Sequence, residues 1–350
     1  MLEILGEANA VALVGLLGGV VLGLAARLGH FCTLGAIEDF LYSSDDRRLR
    51  MWGLAIGMAV IGTHLAMSLG MMEPGATAYL DQVWNPAATV IGGLMFGYGM
   101  ALAGNCGYGA LARLGGGDLR GLIIALVLGL SAYFVMSGPL AHVRVWLFPV
   151  EHGTETPQGL TQLAAFWGLN LSLTGALLGA LFIGIALSSQ QMLRSPRHIF
   201  WGAAVGLAVA SGWVGTYWVS ITGFEAEPIE THTFAAPIGD AIFYAMTASG
   251  NTLSFSVGSV VGVVLGAFLG SVGRGHFRWE ACEDPRELKR QLLGATLMGP
   301  GAILAVGCSV GQGLSAFSVL AYSAPVACLS IFLGAKLGLR QLIVGFAPAE

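Results

Sequence analysis

Charge is what this chain has least of. Charged residues make up 10% of its 350 positions against 55% hydrophobic, and the mean hydropathy is +0.75. A soluble domain carries about 25% charged residues, so a water-facing globule is excluded. The net charge of −4 is small and offers nucleic acid nothing to bind. Five cysteines include no C-x-x-C pair, which excludes a disulfide framework and a zinc cluster. No metal or other cofactor is called for by the pattern. The G-x-x-x-x-G-K-[ST] loop of ATP-driven machines is missing, and no mid-span carboxylate stands out as an ion-coupling group. The start, MLEILGEANAVALVG, lacks the basic n-region of a cleaved signal and reads as a retained helix.

What is present in quantity is apolar sequence in long runs, with 53 glycines. Such glycine suits helices that approach closely in lipid. A span needs roughly 20 apolar residues. Nine segments fit: about 10–28, 51–72, 88–104, 119–138, 163–188, 198–218, 253–272, 290–307 and 320–339. Four shorter stretches, 32–42, 105–115, 238–249 and 308–318, begin near Cys, Gly or Pro and read as half-helices. Lysine and arginine collect on the cytoplasmic side. With nine spans and the N-terminus outside, all 16 of them except Arg144 fall inside. The expectation is an all-α polytopic protein with a periplasmic N-terminus and a cytoplasmic C-terminus, forming one membrane domain over 1–350.

Residues 97–109 (GYGMALAGNCGYG) and 299–311 (GPGAILAVGCSVG) both fit G-x-G-x-x-L-A-x-x-C-x-x-G. A cysteine in register is informative in a chain with only five. The third span runs inward to Cys106 and the eighth outward to Cys308, so the duplication is inverted. Half-repeats of about 10–138 and 198–340 are then joined by the span at 163–188. Inverted repeats with interrupted helices are a signature of transporters. Irregular backbone survives at that depth only where protein or water covers it. Gly104, Gly107 and Gly109, with Gly307, Gly311 and Gly313, are therefore expected to line a passage.

Cys32, Cys106 and Cys308 each follow an apolar run and precede a short glycine-containing segment. A half-helix starting there would offer free N–H groups to an anion. A neutral thiol there is a weak, polarisable donor suited to a sulfur atom. Other polar residues read more plainly. Cys328, inside a span, reads as a small buried hydrophobe, and Cys282, in a charged loop, as incidental. His64 reads as a packed histidine rather than a haem ligand. The tripeptide Asn85-Pro86-Ala87 occurs once, at a span start, without a counterpart. Glu225, Glu227 and Glu230 read as a solvated periplasmic surface, and Arg286, Lys289 and Arg290 as topology determinants that could also dock a cytosolic partner.

Four stretches resemble the YeeE/YedE family of bacterial inner-membrane sulfur-transport proteins: 27–39 (RLGHFCTLGAIED), 92–109, 237–240 (PIGD), and 277–280 (FRWE) through 307–315 (GCSVGQGLS). The last block, with Asp284-Pro285-Arg286 and Leu297-Met298-Gly299, is the most specific. The resemblance implies an hourglass-like bundle of inverted halves, uptake of thiosulfate or a related species, and three pathway cysteines mapping to Cys32, Cys106 and Cys308. Asn105 stands where a glycine is expected, and Ala316 follows Leu-Ser where glycine is common.

The expected function is thus uptake of a thiosulfate-like anion past these thiols, with Asn105, Tyr108, Ser309 and Gln312 contacting its oxyanion end. Two rivals remain. One is a persulfide relay handing sulfur to a cytosolic sulfur-carrier protein. The other is a passive channel for another small solute.

Overall fold

The computed structural model describes residues 6–73, 75, 77–149, 158–224, 227–282 and 284–345. Glu225 lies outside them. Helix dominates, as an apolar chain requires in a medium that cannot solvate its backbone. The long helices are α1 (Glu7–Leu28), α3 (Arg47–Ser68), α4 (Pro86–Ala103), α6 (Leu119–Met136), α8 (Leu171–Leu187), α9 (Pro196–Thr222), α11 (Phe255–Gly273), α12 (Pro285–Leu304) and α13 (Ser323–Val344). Short helices α2 (Thr33–Tyr42), α5 (Gly107–Gly115), α7 (Ala141–Leu147) and α10 (Ala236–Thr247) lie between them, and Gly311–Ala316 winds as a π-helix.

Among the described residues seven helices are long and apolar enough to cross a membrane. They include α1, α3, α4, α6, α9, α11 and α13. The fifth and eighth expected spans coincide with α8, which has only 17 residues, and α12, whose first turns carry charge. The order long, half, long, long, half, long runs through α1–α6 and again from α9 to α13, with the π-helix as the second half-helix of the later series.

Side-chain oxygens set several helix starts. Asn85 accepts from Ala88 N–H at 3.1 Å with Pro86 in the first turn, so the Asn-Pro-Ala tripeptide is an N-cap. Asp118, Asn170, Ser254 and Asp284 do the same for α6, α8, α11 and α12.

Glycine ladders hold the bundle. Gly15, Gly19 and Gly23 of α1 face Gly258, Gly262 and Gly266 of α11; a Cβ at any of the six would fall under 3.0 Å from a carbonyl oxygen of the opposite helix. Helix α4 repeats the device through Gly92 and Gly99 against Gly301 and Gly294 of α12, and through Gly97 against Gly334 of α13. Between helices in lipid, this backbone proximity replaces the hydrophobic drive that water would supply. His64 fills a notch opposite Gly175 of α8 and bonds Val60 O at 3.0 Å, which is the role of a packed histidine.

Overpacking a tight interface costs about 1–3 kcal/mol. Gly262→Leu is therefore expected to lower the melting temperature in detergent clearly. Gly184→Ala, where an added Cβ meets nothing within 4 Å, is expected to leave it unchanged or raise it. Equal melting temperatures for both variants would refute the ladder.

Candidate functional site

Each of the three expected cysteines stands at a helix break. After α1 the chain passes Gly29, His30 at φ 58 and Phe31 before the extended Cys32, which is the N-cap of α2. After α4 it passes Gly104 at φ 75 and Asn105 before the extended Cys106, the N-cap of α5. After α12 it passes Val306 at φ 55 and Gly307 at φ 150 before Cys308, where helix resumes. A positive φ interrupts the helix at each break, without steric cost at Gly104 and Gly307 and at a cost at His30 and Val306.

These breaks meet in the core. Cys106 and Cys308 are buried to 1% exposure and Cys32 is half-buried against the same cluster. The Cys308 sulfur accepts from Gly311 N–H at 3.4 Å and Phe234 N–H at 3.3 Å, with Thr233 Oγ1 at 3.6 Å. The sulfur thus caps its own half-helix. Cys106 repeats this with the Gly109 N–H, and Ser309, Cys32 and Cys308 are its other neighbours.

The expected polar residues divide into two kinds. Asn105 is 2% exposed, and neither its Oδ1 nor its Nδ2 has a hydrogen-bond partner; the buried Ser309 hydroxyl meets only the Cys106 thiol. Gln312 and Tyr108 are instead committed. Gln312 Nε2 donates to Ala305 O at 2.6 Å and Val306 O at 3.1 Å, and its Oε1 accepts from Ser323 at 3.1 Å. It closes the carbonyl end of α12. The Tyr108 hydroxyl donates to Leu22 O at 2.6 Å, leaving its ring between Phe31 and Phe234 at 6.4 and 5.4 Å.

An extended strap, Thr231–Phe234, runs between the two half-helices and had no expected role. A Cβ at Gly107 would strike Phe234 O, and one at Gly311 would strike Thr233. Ser315 Oγ donates to His232 O at 2.7 Å, and Thr231 Oγ1 to Val209 O at 2.7 Å. Glycine at 107 and 311 therefore leaves room for the strap. Gly313 stands 3.7 Å, from an added Cβ, to the sulfur of Cys328. That cysteine packs behind the π-helix, a proximity its position inside a span did not signal. Trp52 stacks on Phe31 at 4.5 Å with its Nε1 unpartnered.

The two ends differ electrostatically. At the Cys32 break, Arg48 Nε donates to His30 O at 3.1 Å, while Arg197 and Arg274 both donate to Leu28 O. Three guanidinium groups thus hold the carbonyls just before Cys32. At the Cys308 break a cavity of about 480 Å³ opens over Thr233 and Gly307, with Tyr79, Trp84, Asn85 and Ser323 among its walls.

Residues 28–337 match the sulphur transport family. The chain belongs to that family. The thiosulfate transporter TsuA of Spirochaeta thermophila is 26% identical over 329 residues, covering 91% of this chain and 96% of that protein. The thiosulfate transporter TsuA of Escherichia coli is 25% identical over 343 residues, covering 93% of each. With its apolar helices, the chain is a multi-pass membrane protein that transports sulfur.

Before the strap, the Ser256 hydroxyl donates to Glu230 at 3.4 Å. Burial, reinforced by Asp240, raises the Glu230 carboxyl from 4.5 to about 7. Folding therefore favours the protonated form, and that stability is complete below pH 4.5 and lost as pH rises through 7. The melting temperature is expected to fall across this window and Glu230→Gln to flatten the fall. The same slope in both proteins would show that Glu230 does not titrate there.

Proposed function

We propose that this protein imports thiosulfate, or a closely related small sulfur oxyanion, across the bacterial inner membrane past Cys308, Cys106 and Cys32 in turn. The observation that carries this is the convergence of three broken helices, each restarting at a cysteine. Unpartnered Asn105, and Ser309 against the middle thiol, add to it. Thiosulfate carries a sulfur end and an oxyanion end. Thiol S–H groups suit the first, and amide and hydroxyl donors suit the second. Serial weak contacts also suit transport, since each station must release what it binds. The names of the two relatives favour the same substrate.

The halves at 10–138 and 198–340 act in this reading as inverted repeats around the breaks. Placing the basic residues inside puts the Cys32 end, with its three arginines, in the cytoplasm, the N-terminus in the periplasm, and the cavity above Cys308 outside. A persulfide relay to a cytosolic carrier would require sulfur to bond covalently to thiols of which two, Cys106 and Cys308, are sealed in the core. Mass spectrometry of the purified protein, with no persulfide on Cys32, Cys106 or Cys308, is the outcome expected of a conduit.

A hydrogen bond to a charged group contributes about 1.5–3 kcal/mol, so losing one that forms only during passage should slow uptake at least about tenfold. Labelled thiosulfate uptake into proteoliposomes is expected to fall by that much with Cys106→Ala and with Cys308→Ala. Unchanged uptake in both would sink the thiol pathway. The polar residues should separate by readout. Asn105→Ala is expected to lower uptake while keeping the melting temperature, because its side chain has no hydrogen-bond partner in the protein to lose. Gln312→Ala strands two carbonyls at a cost of about 1–3 kcal/mol each, and is expected to lower the melting temperature.

A further inference from the structure

Sequence pattern alone makes Glu230 a solvated surface acid; the structure tucks its carboxyl between α9 and α11. The Glu230 N–H donates to Thr216 Oγ1 at 3.3 Å, and its C=O accepts from the same hydroxyl at 2.9 Å. The carboxyl itself accepts from Ser256 Oγ at 3.4 Å. Two further acids bear on it, Asp240 of α10 and Glu227 of the same loop. Asp240 in turn accepts from the Tyr133 hydroxyl. Among the described residues no lysine or arginine pairs with Glu230. Burial beside another acid, with no cation to offset either, favours a bound proton.

Glu230 also opens the strap that reaches Cys308. An extended residue advances about 3.3 Å, so Thr233 stands roughly 10 Å further along. Thr233 Oγ1 lies 3.6 Å from the Cys308 sulfur, and Phe234 N–H donates to that sulfur at 3.3 Å. The Tyr79 hydroxyl shares a hydrogen bond with Thr233 and lies within electrostatic reach of both Glu230 and Cys308. His232, the strap's other titratable group, is turned to Ser259 of α11 at 2.7 Å and to Gly18 of α1. Carboxyl and thiol are thus the ends of one short polar chain. Away from bulk water, charge at one end acts on charge at the other with little screening.

An ionised Glu230 repels an anion arriving at Cys308, and a protonated one does not. A dianion entering a cell that is negative inside also works against the membrane potential once for each charge, and the chain carries no ATP-binding loop. We propose that Glu230 is a proton-binding site linked to the Cys308 station, where the anion seats together with one proton taken from water on the outer side. The proton rests on a carboxylate oxygen, and the thiol is chemically unchanged. Linkage is reciprocal: the anion strengthens proton binding as much as the proton strengthens anion binding. The step rests on the thiosulfate reading only for the identity of the anion. At low pH the carboxyl is neutral and the station accepts an anion. As pH rises the carboxylate forms and KM rises with it. Thiosulfate keeps both charges throughout, so the change belongs to the protein.

Two readouts test the linkage. Thiosulfate, sulfate and selenate, each adjusted to pH 7, are added to purified, weakly buffered protein with a pH-indicator dye. Thiosulfate is expected to draw a fraction of one proton onto each protein and raise the pH, and Glu230→Gln to abolish the rise. In right-side-out vesicles held at pH 7 inside, labelled thiosulfate uptake is expected to show a KM about tenfold higher at an outside pH of 8 than of 6, with kcat little changed. Glu230→Gln should hold KM level over that range, and Glu230→Asp should restore a slope. No proton uptake with any of the three anions, a level KM in the unaltered protein, or a slope that survives Glu230→Gln overturns the proton site. Proton uptake with sulfate or selenate but not with thiosulfate keeps the site and removes only the proposed substrate.

Discussion

The structure depends on backbone meeting backbone across glycine. Lipid gives apolar helices no reason to prefer one another over acyl chains. The ladder between α1 and α11, and those joining α4 to α12 and α13, bring carbonyl oxygens to distances that any side chain would prevent. All three cysteine breaks lie at the ends of helices so joined, α1, α4 and α12. Were these pairs spaced as ordinary side chains require, Cys106 and Cys308 would not share one core.

Close packing then creates a second demand. A broken helix in a bilayer leaves backbone groups that nothing in lipid can satisfy. Each break is answered locally and by different chemistry. Gln312 takes the last carbonyls of α12, the Cys308 sulfur takes an N–H of its own half-helix, and three arginines take the carbonyls before Cys32. The strap Thr231–Phe234 supplies a further N–H to Cys308. Asn105 takes no part in these repairs, with both its amide atoms unpartnered. Buried polar atoms that no protein group satisfies cost free energy, and a polar solute passing between them would recover it.

Much of the fold was legible because it is periodic or local. Apolar runs located the long helices, and single residues such as Asn85 and Asp284 marked their starts. The cysteine register singled out Cys106 and Cys308, while Cys32 needed the family resemblance. What stayed hidden was set by contacts far apart in sequence. Nothing near Thr233 and Phe234 announces that they lie against Cys308, because their extended path follows neither helical nor strand patterning. Gln312 sits in the same short motif as Ser309, so sequence gave both the same role. Only the geometry shows one amide turned to carbonyls and one hydroxyl turned to a thiol.

In the proposed pathway the distribution of charge would tie these features to movement. Full positive charges occur at the ends, Arg144 over Cys308 and Arg48, Arg197 and Arg274 around the loop before Cys32, while the stretch between offers thiol, amide and hydroxyl groups. A guanidinium in the middle would bind an oxyanion too tightly to release it, since charge attraction strengthens steeply away from water. Neutral donors of modest strength avoid that trap, at the cost of giving the anion little reason to enter. In the proposed pathway, charge confined to the ends would raise the local anion concentration where water still screens it and would leave passage to contacts weak enough to exchange.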